Sequence, residues 1–127
     1  MNNKELMSQD ELKEIMYNYL KPELDKCKEM NGICRDGSQA GGFCWYLFDG
    51  AGVRTRSIGA RLCDGYWEIL NDLQNSESVN IKVYPDHVEF IEDSKFNDFD
   101  HDFMYELCLK IKEFVEGNNI KEENNNE

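Results

Sequence analysis

The segment GGFCWYLFDGAGVRTRSIGARLCDGYW, residues 41 to 67, decides the fold because it holds the densest apolar run of the chain. Within it, Phe43 to Phe48 is wholly apolar and aromatic, which is typical of a strand buried on both faces, or on one face with the other covered by a partner. Asp49-Gly50-Ala51-Gly52 then turns the chain. We therefore predict that Val53 to Ile58 returns as the second strand of a hairpin with a four-residue loop.

The returning strand carries two arginines. Because side chains alternate between the faces of a strand, Arg54 and Arg56 are expected to share one face. All four arginines of the chain and eight of its nine glycines lie between positions 32 and 65, whereas every lysine lies outside that window. The segment therefore combines guanidinium charge with a flexible backbone.

Upstream of this segment, Ser8 and Glu11 form a capping box, which predicts a helix from residue 9. Proline removes a backbone hydrogen bond and clashes with the preceding turn, so Pro22 predicts a kink or a break near Lys21. A second helical piece should then run from Pro22 to a glycine cap at Gly32. The turn dipeptides between residues 32 and 42 predict a loop.

Downstream, apolar residues at helical spacing predict a helix over residues 64–75, capped by Asp64, with an earlier start at Ser57 left open. Alternation predicts a second hairpin, Val79 to Tyr84 and His87 to Ile91, around Pro85-Asp86. An amphipathic final helix should end at Gly117. The helical stripes are Tyr66, Ile69, Leu70 and Leu73, and then Phe103, Met104, Leu107, Ile111, Phe114 and Val115.

These elements define an α+β fold. A chain of 127 residues fits one domain, which we place at residues 1–117, followed by a disordered acidic and asparagine-rich tail at 118–127. The predicted order is α-β-β-α-β-β-α: an antiparallel sheet of four to five strands from two hairpins with about three helices, the first kinked at Pro22.

The charge of the chain is strongly negative and unevenly placed. The formal net charge is −12, and residues 64 to 127 hold 17 acids against five lysines. This balance argues against nonspecific binding to nucleic acid or an anionic membrane, and it favours a basic partner. Without an apolar leader or a membrane-length apolar run, we expect a cytoplasmic protein, bacterial or in the host cytoplasm if phage-encoded.

The five cysteines follow neither a disulfide framework nor a zinc motif, so reduced thiols are expected. A calcium loop starting at Asp98 would need glycine at position 103 and glutamate at 109, and the chain has Phe103 and Leu109. We therefore assign no metal and no cofactor. His87 and His101 lack a spacing that would pair them with Cys44 or Cys63, so no catalytic residue is assigned and the chain is expected not to be an enzyme.

The leading hypothesis is a small acidic, non-enzymatic binding protein. An extended negative surface steers a protein onto a basic partner and can mimic a phosphate backbone, as phage anti-defence proteins and immunity proteins do. A basic partner of this kind can itself be a nucleic-acid-binding protein, and direct binding to nucleic acid or a membrane is not expected. Alternatively, these acids only solubilise the protein or cap the last helix. The partner-binding candidates are Glu89, Glu92, Asp98, Asp100, Asp102 and Glu106.

A second hypothesis is a protein that sequesters an anionic small molecule such as a nucleotide. Guanidinium groups bind phosphate bidentately, glycine lets backbone amides approach, and aromatic rings stack on a base. In the alternative interpretation, the arginines cover aromatic neighbours or pair with nearby acids. The ligand-binding candidates are Arg54, Arg56, Arg61, Trp45, Tyr46 and Trp67.

A third hypothesis follows from the predicted element order together with the acidity and size of the chain. In these general features it resembles the type III secretion chaperones, which are dimers that hold an unfolded effector. A homodimer is also expected because three helices in so short a chain do not easily cover a hairpin that is apolar on both faces.

Overall fold

The computed structural model describes residues 5–39, 41–73, 76–92 and 98–125. Within these residues the chain forms two helices and six strands. In chain order they are α1 (Gln9–Glu29), β1 (Ile33–Gln39), β2 (Gly42–Phe48), β3 (Arg54–Leu62), β4 (Trp67–Leu73), β5 (Ser76–Val83), β6 (Val88–Phe90) and α2 (Asp98–Asn125).

The six strands form one antiparallel sheet in which each strand pairs with its neighbour in sequence. Both helices pack on the same face of this sheet, here called the inner face, because their apolar stripes join one core with it. The α+β class with a single antiparallel sheet is therefore confirmed, but the described residues form two helices and six strands where about three helices and four to five strands were predicted. The buried core includes Leu12, Met16, Leu20, Phe43, Trp45, Ile58, Ile69, Ile81, Met104, Leu107 and Ile111.

Helix α1 begins as predicted. The Ser8 hydroxyl accepts a hydrogen bond from the Glu11 amide at 3.2 Å, and the Ser8 amide donates to the Glu11 carboxylate at 2.9 Å. Of the predicted kink or break at Pro22, the break is wrong, because one helix continues through it to Glu29. Leu20 and Leu24, on either side of Pro22, are both buried against the core, and this packing outweighs one missing hydrogen bond.

The end of α1 uses a different residue from the one predicted. Asn31 adopts the left-handed conformation, with φ of 62°, and the amide of Gly32 donates to the Cys27 carbonyl oxygen at 2.7 Å. The predicted loop from 32 to 42 is also wrong, because most of it is strand β1. Its backbone pairs along its whole length with β2, from Ile33 opposite Phe48 to Gln39 opposite Gly42.

The predicted helix over residues 64–75 is wrong as well. The chain turns at Gly65, where φ is +87°, and continues as strand β4. Trp67 and Ile69 belong to the inner core, while Leu70 is buried on the opposite, outer face. A strand that is buried on both faces can have apolar residues three and four positions apart, which is also the spacing of an apolar stripe on a helix.

The last two predicted elements are present. Strands β5 and β6 form the second hairpin, closed by the Tyr84 amide, which donates to the His87 carbonyl oxygen at 2.9 Å. Helix α2 follows, but it runs past its predicted end at Gly117 to Asn125. The assignment of residues 118–127 to a disordered tail stays a prediction, and residues 126 and 127 lie outside the described part of the chain.

Strands β2 and β3 approach each other unusually closely. Gly59 lies opposite Cys44, and a β-carbon at Gly59 would lie 2.5 Å from both the Cys44 β-carbon and the Phe43 carbonyl oxygen. No side chain fits there without moving the backbone of one strand. This position therefore requires glycine for space and not for an unusual φ.

We expect Gly59→Ala to lower the free energy of unfolding by about 1–3 kcal/mol, the usual cost of forcing extra volume into a packed region. Ser57→Ala, two residues away on the same outer face, is the matched control, since it adds no volume. Urea denaturation of both variants measures the difference. Equal stabilities would show that β2 and β3 are not this close.

Gly117→Ala tests where α2 ends. If the helix continues through residue 117, alanine should stabilise the protein by roughly 0.5–1 kcal/mol, because glycine loses more conformational entropy in a helix. Space is available, since the nearest atom to an added β-carbon is Glu113 Cγ at 3.9 Å. A destabilised variant in thermal or urea denaturation would instead place Gly117 at a left-handed helix end.

Candidate functional site

Arg54 and Arg56 lie on opposite faces of the sheet, so the prediction that they share a face is wrong. The register between β2 and β3 shifts after Leu47, which lies opposite Arg56, so that Phe48 lies opposite Arg54. Thr55 is the extra residue of this β-bulge, and its hydroxyl donates to the Leu47 carbonyl oxygen at 3.2 Å. A bulge of one residue reverses the alternation of side chains beyond it.

Three of the predicted ligand-binding residues face the core. Arg56 extends under α2, with its guanidinium carbon 4.6 Å from the centre of the Phe103 ring. Trp45 and Trp67 are only 2% and 3% exposed. The Trp67 indole donates to the Met7 carbonyl oxygen at 2.9 Å, which fixes the chain just before α1. These residues hold the helices on the sheet.

The other three lie on the outer face, but not together. The Arg54 guanidinium lies 5.8 Å from the centre of the Tyr46 ring, while Arg61 lies at the other end of β3, about 20 Å away at the rise of a strand. Both Nε and Nη2 of Arg61 donate to one oxygen of Glu68, at 3.0 and 2.8 Å. The six residues therefore do not form one pocket. Arg35, which was not predicted, lies opposite Tyr46 in register.

The predicted acidic residues lie around the edge strand β6 and the first turns of α2. Glu89 is in β6, Glu92 follows it, and Asp102 and Glu106 are exposed on α2. Asp98 and Asp100 are in the first turn of α2, and their side chains lie outside what the structure describes. We call this set, Glu89, Glu92, Asp98, Asp100, Asp102 and Glu106, the acidic surface.

Two histidines that the sequence left without a role are held within this surface. His87 lies between two carboxylates, with Nδ1 2.7 Å from Asp86 Oδ1 and Nε2 3.3 Å from Glu89 Oε2, and its ring stacks on Tyr84. His101 lies 3.3 Å from Asp102 and 3.5 Å from Glu92. The two imidazoles thus flank β6, one before it and one after it.

The carboxylates raise the pKa of both rings. For His87 the cause is chiefly the hydrogen bond to Asp86, and for His101 chiefly the hydrogen bond to Asp102, with Glu89 and Glu92 adding to the effect and partial burial opposing it. An imidazolium between two carboxylates is stabilised relative to the neutral ring. The local negative charge therefore weakens as pH falls through these raised pKa values.

No lysine or arginine of the described residues forms an ion pair with Glu89, Glu92 or Asp102, whose cationic neighbours are the two histidines. Glu92 and Asp102 are each 80% exposed. Lys82 lies opposite Glu89 in register, but its ammonium is 5.5 Å from the centre of the Tyr66 ring. Glu89, Glu92 and Asp102 therefore keep most of their charge toward solvent.

The thiols near charged residues are not activated. Burial and the neighbouring Glu68 raise the pKa of Cys63, and burial raises the pKa of Cys108 to about 11. Both are therefore protonated at neutral pH, the form that is a poor nucleophile. In the part of the chain that the structure describes, no three His, Cys, Asp or Glu side chains are placed to hold a metal ion.

Two buried asparagine side chains were not predicted from the sequence. Asn71 and Asn80 are 1% and 0% exposed, and neither side chain has a hydrogen-bond partner in the structure. Both lie beside the irregularity in pairing between β4 and β5. Neither was recognisable from the sequence, because asparagine in an otherwise apolar strand resembles a turn residue.

Comparison of the chain with protein-family models, with curated proteins and with solved structures found no match. Among the described residues, neither helix has the length and apolar character needed to cross a membrane. The site is therefore interpreted from its own geometry.

The two histidines should titrate above the ordinary pKa of about 6.5. We expect Asp102→Asn to lower the pKa of His101 and leave that of His87 unchanged, with Asp86→Asn as the reciprocal control. The stabilisation that each ion pair gives should be complete below pH 6.5 and lost as pH rises through the folded-state pKa. NMR titration of the ring protons measures both values, and an unshifted His101 in the wild type would contradict the geometry.

Proposed function

We propose that this chain is a small, non-enzymatic binding protein that masks a basic surface of a partner protein, as immunity proteins and phage anti-defence proteins do. The observation that carries the proposal is the acidic surface itself, in which Glu89, Glu92 and Asp102 are exposed and lie beside His87 and His101. We place its action in the cytoplasm of a bacterium or of a phage host.

The surface combines charge with apolar contact area. Tyr105 and Leu109 are 42% and 39% exposed on α2, close to Asp102 and Glu106 along the helix. Protein interfaces commonly place aromatic and apolar groups within a charged rim. The carboxylates would raise the rate of encounter with a basic partner, and the apolar residues would slow its dissociation.

The anion-binding hypothesis keeps a smaller set of residues. Arg54 lies over Tyr46, and Arg35 lies opposite Tyr46, so two guanidinium groups and one ring share the outer face. Arg56, Trp45 and Trp67 have structural contacts in the core instead. The secretion-chaperone hypothesis keeps the acidity and size of the chain but loses the predicted element order, because the helix expected over residues 64–75 is strand β4.

Reversing the charge of residues in the acidic surface should distinguish the masking function from the anion-binding function. We expect Glu89→Lys with Glu92→Lys and Asp102→Lys to abolish salt-sensitive capture of a basic protein from a lysate of the source cell, followed by mass spectrometry. The purified partner should then associate at least tenfold more slowly, with a flatter dependence on salt. If the partner binds nucleic acid, the wild-type chain should also displace a DNA duplex from it.

The matched control reverses three exposed acids elsewhere, Glu14, Glu29 and Asp64, for the same change in net charge. Arg54→Ala is the control for the anion-binding hypothesis. Circular dichroism must show every variant folded. If both triple variants lose partner binding equally, the effect depends on net charge and not on the acidic surface. If only Arg54→Ala loses binding, the anion-binding function is favoured.

A further inference from the structure

A trough runs between α1 and α2. Helix α2 contacts β6 through His101 and Tyr105, whose rings pack around Phe90, and it faces α1 with its other flank. The trough on that flank has a volume of about 760 Å³. It is lined by Ile15, Asn18, Tyr19 and Pro22 of α1 and by Lys110, Glu113, Phe114 and Gly117 of α2.

The two helices contact each other through Tyr19 of α1 and Phe103 of α2. The Tyr19 hydroxyl donates to the Phe103 carbonyl oxygen at 2.8 Å, and the two rings lie 5.2 Å apart. Phe114, which is 38% exposed, also borders a second cavity of about 310 Å³ near Glu11. From Glu11 to Pro22 the two cavities follow roughly 16 Å of α1, or three helical turns.

The trough has an apolar floor, and carboxylates lie toward both of its ends. Glu113 and Lys110 both line the larger cavity, so their charges balance, whereas Glu5 and Glu11 line the smaller one. At the Tyr19 end, burial and then the charges of Glu106 and Glu23 raise the pKa of the phenol to about 12, and the charge of Arg56 opposes them. The described lining of the two cavities together therefore carries a net negative charge.

We propose that this trough receives an amphipathic helix of the basic partner, with an apolar stripe on Phe114 and Ile15 and with lysine or arginine toward the carboxylates at its two ends. The inference rests on the proposed function and names the element that is recognised. A third helix can pack its ridges into the groove between two others, and such grooves recognise helical segments through apolar anchors. A second copy of this chain fits poorly, because its helices carry the same negative charge.

The test uses three labelled peptides of equal length on the full chain. The first is an amphipathic helix of leucine and lysine, the second has the same composition in scrambled order, and the third has glutamate in place of lysine. We expect the first to bind, and the other two to bind at least tenfold more weakly. Amide chemical shifts should change at Ile15, Tyr19 and Gly117 on binding.

Two substitutions of exposed apolar residues locate the contact. Phe114→Glu removes the apolar floor, whereas Leu62→Glu changes a residue of β3 that lines neither cavity. We expect at least a tenfold rise in the Kd of the first peptide for Phe114→Glu and less than a twofold rise for Leu62→Glu. Glu106→Lys with Glu113→Lys should weaken binding with little effect on the core, since both residues are exposed.

The outcomes separate this inference from the proposed function. Equal binding of the ordered and scrambled peptides, or no binding up to about 1 mM, the weak end of specific recognition, would overturn the trough as a helix site. Capture of the basic partner that depends on Glu89, Glu92 and Asp102 would still leave the proposed function standing. If light scattering shows a dimer that Phe114→Glu dissociates, the occupant is a second copy and the inference is wrong.

Discussion

Where β2 passes β3, Gly59 lies directly opposite Cys44, and the backbones are so close that no β-carbon fits at Gly59. This approach fixes the pairing of the two most central apolar segments of the sequence. Phe43, Trp45 and Leu47 then face the helices, while Cys44 is buried on the outer face. The remaining strands extend the sheet on both sides of this pair, and the helices cover the face on which the larger side chains lie.

The class of the fold was predictable because several local signals agree with its global form. The capping box at Ser8, the apolar run at Phe43–Phe48 and the turn at Pro85-Asp86 each specify their element from a few adjacent residues. The errors occurred where local signals conflict with packing. Pro22 lies inside a helix because Leu20 and Leu24, two residues to either side, are buried. The glycines between residues 32 and 42 did not prevent β1 from pairing with β2. Strand β4 imitated a helix because it is buried on both faces.

The candidate sites were likewise predictable only where local sequence signals agreed with the packing of the fold. Alternation along β3 placed Arg54 and Arg56 on one face, but the bulge at Thr55 reverses that alternation, and a bulge is formed by the register of two strands that are distant in sequence. The acidic residues came together through topology: the chain passes from the edge strand β6 to α2, so carboxylates near in sequence remain near in space. His87 and His101 gained their carboxylate neighbours in the same way.

Helix α2 connects the stability of the fold to the display of its charge. Met104, Leu107 and Ile111 are fully buried, while Asp102, Glu106 and Glu113 are exposed, because the helical period places the two sets on different sides. The core that holds α2 on the sheet therefore also fixes the backbone positions of the acids. Such carboxylates lose less conformational entropy on binding than they would on a loop. The arginines differ in this respect, since Arg61 is bound to Glu68 and Arg56 lies over Phe103. Arg56 and Arg61 are therefore held by contacts within the chain, whereas the exposed carboxylates of α2 face solvent.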